Sequence, residues 1–166
     1  MDVEGYREFV ASRMDGWRRT AYVFCGDWHT ADDLVSTALV QLLRHWRRVS
    51  EMDSPDAYAR RVLFRALLNE RRRPWRREHA IRDVPERAVP AGTDAVDDRL
   101  AVLALLAELP PRRRAVLVLR FFCDLSVEQT AQALGCTPGT VKSQTARGLD
   151  ALRDRLVDIE GKSWNS

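Results

Sequence analysis

Apolar residues recur every three or four positions through most of the chain, and nowhere do they alternate as a half-buried strand would. Tyr6, Phe9, Val10, Arg13 (by its stem only), Met14, Trp17, Ala21 and Phe24 predict a first helix with an aromatic inner face, ended by Gly26-Asp27. A second stripe runs through Ala31, Leu34, Val35, Ala38, Leu39, Leu42, Leu43 and Trp46. It predicts a helix from about Thr30, with Asp32 and Asp33 near its positive end. Residues 47–53 read as a short loop. Ser54-Pro55 is a cap followed by proline at the first helical position, and Tyr58, Val62, Leu63, Ala66 and Leu67 supply the packing side of a third helix.

The second half repeats the period. Leu100, Leu103, Leu106, Ala107 and Leu109 predict a fourth helix, broken by Pro110-Pro111. A fifth follows from about Arg112 through Ala115, Val116, Leu119 and Phe122. The stretch LSVEQTAQALGCTPGTVKSQTARGLDALRDR then holds two more. Ser126 with Gln129 is a capping box, Val127, Ala131 and Leu134 form the buried side, and Gly135 stops the helix. Thr137 caps the next helix and Pro138 opens it; Val141, Thr145, Leu149, Leu152 and Leu156 make its stripe. Two helices joined by so short a turn match a helix-turn-helix. The tail from Gly161 to Ser166 has no pattern and reads as frayed. The expected fold class is therefore all-α: two small helical domains, 1–77 and 99–160, joined over 78–98 by an acidic flexible linker, the second ending in the helix-turn-helix.

Charge sharpens this picture. The 166 residues hold 27 Lys plus Arg against 24 Asp plus Glu, a net of only +3, but the two signs are segregated. Arg60, Arg61, Arg65, Arg71, Arg72, Arg73, Arg76 and Arg77 are opposed by Glu70 alone, with Trp75 inside the run. So dense a cluster repels itself unless a polyanion is present. Thr140, Lys142, Ser143, Gln144 and Arg147 crowd the first turns of the last helix, where no acidic residue precedes Asp150. Such side chains suit phosphates and base edges. Arg112, Arg113 and Arg114 lie in a helix's first turn, a poor place for cations, so they are expected to serve phosphate or protein contacts rather than stability. Residues 78–98 invert the sign, with Glu78, Asp83, Glu86, Asp94, Asp97 and Asp98 among Pro85, Pro90 and Gly92.

Several classes drop out. Cys25, Cys123 and Cys136 have no ligand spacing and His29, His45 and His79 no metal signature, so free thiols are expected and no metal or other cofactor. No signal peptide or uncharged apolar run of membrane length is visible, which points to a cytoplasmic protein without membrane contact. No glycine-rich nucleotide loop, paired carboxylates or nucleophile–base set is present, so no catalytic residues and no enzyme are expected.

With these residues in view the chain resembles the extracytoplasmic-function (ECF, group IV) sigma factors of the sigma-70 family, of the small actinobacterial type. The segments that carry the likeness are GDWHTADDLVSTALVQLLRHWRRV, SPDAYARRVLFRALLNERRR and LPPRRRAVLVLRFFCDLSVEQTAQALGCTPGTVKSQTARGLDALR, in this order and with this gap. The resemblance implies that residues 1–77 are region 2 and residues 99–160 region 4. Asp32, Asp33, Leu34, Gln41, Arg44 and Arg47 would then meet the clamp helices of the polymerase β′ subunit. Arg48, Ser50 and Asp53 would capture a flipped base of the −10 element, which must leave the stack to be read. Arg60, Arg61, Arg65, Arg71, Arg72, Arg73, Trp75 and Arg76 would face −10 DNA, and Thr140, Lys142, Ser143, Gln144 and Arg147 the −35 element while the module rests on the β flap. Core RNA polymerase and promoter DNA are the implied partners, and an anti-sigma factor is one that such proteins often have. One position departs from the family: Arg65 stands where relatives commonly carry Asn, adding phosphate affinity while losing an acceptor. The competing reading is a stand-alone helix-turn-helix regulator, which leaves the arginine run unexplained.

Overall fold

The computed structural model describes residues 2–70 and 94–163, and every regular element among them is helical. Five helices form the first module: α1 (Val3–Ala11), α2 (Met14–Cys25), α3 (Trp28–Arg44), the single turn α4 (Trp46–Val49) and α5 (Pro55–Glu70). The second contains α6 (Asp94–Glu108), α7 (Pro111–Leu117) with a π-helical turn (Val118–Phe122), α8 (Val127–Leu134) and α9 (Pro138–Ser163).

Local chemistry sets most boundaries. Asp27 caps α3 by accepting from the Thr30 backbone N–H at 2.7 Å. Gly26 closes α2 at φ 77, a conformation a Cβ would strain. The expected single first helix is in fact two. The Ser12 hydroxyl donates back to the Glu8 and Phe9 carbonyls, and Arg13 leaves the helical path to grip Asp56 with two bonds of 2.5 and 2.9 Å. That clamp ties the start of α2 to the start of α5. Tyr6 and Phe9 of α1 meanwhile wrap Trp46, with ring centroids 5.5 and 5.1 Å away. Part of the expected 47–53 loop is also helical: α4 seats Trp46 and Val49 in a small core with Leu42 and Ala59. Helix α6 begins at Asp94, inside the stretch expected as linker. The rest of that linker, and Arg71, Arg72, Arg73, Trp75, Arg76 and Arg77, lie outside the described residues. At the other end α9 continues through Ser163, beyond the start of the expected frayed tail.

The stripes hold with four corrections, the smallest of them Ala107, which is exposed beside buried Leu106. Phe122, expected inside, is half exposed, as is Phe121. The π turn, closed by the Cys123 N–H on the Val118 carbonyl at 2.9 Å, adds a residue and rotates both rings outward. Asp124 follows at φ 54, a left-handed position that Asp tolerates better than most residues. Leu100 and Leu156 are the remaining two, each about half exposed where its helix extends past the core.

Hydrophobic packing crosses the boundary between the modules. Ala21, Phe24, Leu34, Val35, Leu63, Phe64 and Leu67 from the first meet Ala115, Val118, Leu119, Leu125 and Ala133 from the second. Helix α5 is the shared element, packed on α3 by one side and on α8 by another.

Candidate nucleic-acid interface

The helix-turn-helix is built as its residues dictate. The Gln129 N–H donates to the Ser126 hydroxyl at 3.0 Å and the Ser126 N–H to the Gln129 side chain at 2.9 Å, a closed capping box. Gly135 ends α8 at φ 64, and the Cys136 N–H returns to the Ala131 carbonyl. Thr137 then accepts from the Thr140 N–H at 3.2 Å, starting α9 at Pro138. Fully buried Val141 locks α9 against Val116 and Ala131. With Val141 inward, Thr140, Lys142, Ser143 and Arg147 are all turned to solvent. Gln144 is only half exposed and accepts from Arg113 Nε at 3.3 Å, so it sits at the rim of this face.

Gly148 was not singled out by sequence reasoning. A Cβ there would lie 3.0 Å from Leu117 Cδ1 and 3.1 Å from Arg113 Cγ, so glycine lets α9 approach α7 closely. The signal was a glycine inside an otherwise regular helical stripe.

The first module presents its candidates less uniformly. Arg48, Ser50 and Asp53 are exposed around α4, the Ser50 hydroxyl donating to the Arg47 carbonyl at 3.0 Å. On α5, Arg61 and Arg65 are exposed, whereas Arg60 is half-buried with its charge felt by Asp56 and by Cys123 of the second module. Asp33, Gln41 and Arg44 of α3 and Arg47 of α4 are exposed to solvent. Val40 is half exposed beside them, an apolar residue among polar neighbours that the stripe did not include. Asp32 is engaged by Arg18 with bonds of 2.6 and 3.1 Å, which hold its carboxyl below the ordinary range. Leu34 is 4% exposed and belongs to the core, so a direct contact with polymerase is not open to it.

The largest departure is Arg114. Its neighbours Arg112 and Arg113 reach solvent or the rim, but Arg114 is 1% exposed. It donates to the Leu106, Ala107 and Leu109 carbonyls at 2.6, 2.5 and 2.9 Å, and across the module boundary to Phe24 O at 2.9 Å. Those carbonyls end α6 and α2, whose last C=O groups lack helical partners and carry partial negative charge. Two helix C-termini thus outweigh the unfavourable start of its own helix. The expectation that this arginine serves contacts rather than stability is corrected: its protein contacts are the fold itself. Among the described residues no cluster of His, Cys, Asp or Glu could hold a metal, and no helix is long and apolar enough to cross a membrane.

Residues 9–77 match the family model for sigma-70 region 2, and residues 99–152 that for sigma-70 region 4. The chain belongs to the sigma-70 family, as an ECF-type sigma factor. It is 35% identical to the RNA polymerase sigma-E factor of Streptomyces coelicolor, over 98% of this chain and 93% of that one. It is 30% identical to the ECF sigma factor SigL of Mycobacterium tuberculosis, over 85% and 82%. Among solved structures it is similar in fold to the sigma factor RpoE of Bartonella quintana, crystallised with the anti-sigma factor NepR: TM-score 0.71, 19% identity, 92% of this chain and 97% of that one. CnrH in complex with the cytosolic domain of CnrY is likewise similar, with TM-score 0.67, 18% identity and coverage of 93% and 89%. A stand-alone helix-turn-helix regulator is not favoured, since the region 2 match accounts for the first module as well.

Proposed function

We propose that this sigma factor directs core RNA polymerase to promoters by dividing recognition between its two modules. The observation that carries the reading is the open start of α9: Thr140, Lys142, Ser143 and Arg147 stand exposed over buried Val141, with Gln144 at the rim. A second helix presented this way fits the major groove, and here it would read the −35 element. Arg48, Ser50 and Asp53, with Arg61 and Arg65 along α5, would meet the −10 element, and Asp33, Gln41, Arg44 and Arg47 would dock on polymerase. Breaking DNA stacking costs about 1–2 kcal/mol per base step. Stacking on protein returns roughly 1–3 kcal/mol per base, and arginine–phosphate contacts add a salt-dependent share. Neither module is large enough to open DNA unaided. Polymerase therefore supplies the catalysis, the sigma factor itself is no enzyme, and both work in the cytoplasm.

Run-off transcription with a promoter library tests this. Purified protein added to core polymerase is expected to start transcripts at sites that core alone ignores. A mixture that assembles on polymerase yet never initiates would instead mark the chain as a decoy.

A further inference from the structure

Where the end of α5 meets the start of α7 and the end of α8, the two modules leave a groove of about 580 Å³. That volume lies within the range of small-molecule sites, about 300–1,000 Å³. Arg61 and Arg65 line it from the first module and Arg112 from the second, over apolar surface from Leu68, Pro111 and Leu134. Among the described residues no carboxylate lines the groove and none forms an ion pair with these three arginines. Arg61 and Arg65 stand one helical turn apart and so project to the same side. Three guanidiniums lining one groove repel one another, weakly because all three are exposed, and an anion between them relieves that repulsion.

We propose that this groove binds a small anion carrying linked phosphates, and that the bound anion holds the two modules together. The size of the groove favours linked phosphates over a lone one: about 580 Å³ is far more than one phosphate fills, and each guanidinium fork can take a pair of phosphate oxygens along such a chain. The apolar floor offers no partner for further charge but can cover a sugar or a base. The phosphates could thus come from an inorganic chain or from a nucleoside polyphosphate. Occupancy also withdraws Arg61 and Arg65 from −10 DNA; that consequence alone rests on the role proposed for them above.

Calorimetric titration of the full chain, without DNA, separates these sources. Inorganic triphosphate should bind saturably at one site per chain and raise the melting temperature, whereas sulfate should bind far more weakly. Equal affinity for ATP assigns recognition to the phosphates alone; tighter ATP binding assigns the floor to the nucleoside. Arg65→Gln and Arg112→Gln should each weaken binding about tenfold, the loss of one charged hydrogen-bonding group. Arg153→Gln, on the exposed side of α9, should not. Arg112→Glu should abolish anion binding. Absence of saturable binding, or equal weakening by Arg153→Gln, overturns the proposal. Arg112 has no assigned part in promoter recognition, so Arg112→Gln that keeps −10 affinity but loses the anion separates this site from the promoter reading.

Discussion

The start of α9 and the start of α7 are both rich in cations, yet the structure uses them in opposite ways. On α9 the apolar stripe is narrow and Lys142 and Arg147 stay in water. On α7 the two modules converge, and Arg114 is drawn beneath the surface to meet the carbonyl ends of α6 and α2. Guanidinium groups therefore take their roles from what lies within bonding distance. An exposed one is a reagent for an external polyanion; one ringed by orphan carbonyls is a structural rivet.

The strongest way to break this comparison is to remove the rivet. Arg114→Met should destabilise the chain by about 3–5 kcal/mol, because four carbonyls, three of them buried, lose their donor. Arg114→Lys should recover less than half of that, since one ammonium cannot span acceptors on two helices. Urea denaturation reads both, and a loss below about 1 kcal/mol would show that water replaces the guanidinium.

The converse change on α9 should leave stability untouched. Arg147→Ala is expected to lower affinity for −35 duplex DNA about tenfold, as for one lost bidentate base contact, with polymerase binding intact. Equal loss of both would sink its role as a DNA contact.

A smaller effect concerns the Arg13–Asp56 clamp, which is partly exposed. Its hydrogen bonds hold the Asp56 carboxyl below the ordinary carboxylate range. A depressed folded-state pKa adds stability above the unfolded value, near 4, and that stability fades as pH falls through the folded value. Asp56→Asn should therefore cost about 0.5–1 kcal/mol at neutral pH. The gap from the parent chain should narrow in acid melts below about pH 4. A gap that is constant with pH would assign the loss to packing.

Much of this was legible in advance where the cause is local. The Ser126–Gln129 box, Gly135, Pro138 and the stripe through Val141 are written within a few residues of one another, and α8 and α9 follow them. The outward placement of Lys142, Ser143 and Arg147 follows from the same period. Arg13 was legible only as part of a helix, because its partner Asp56 lies 43 positions away. Phe122 was misplaced because one π turn shifts the helical face, and the stripe assumed an unbroken α period.

By itself the sequence determined an all-helical chain, the caps and stops of its helices, and a helix-turn-helix with a basic, uncovered reading face. Capping and periodicity act over one or two turns, so neighbouring residues carry them. Only the tertiary structure decided that α5 is shared by two modules, that Arg114 is core while Arg112 is surface, and that Arg61, Arg65 and Arg112 face one groove. Those outcomes depend on which distant groups arrive within hydrogen-bonding or van der Waals reach, and no local pattern along the chain encodes that meeting.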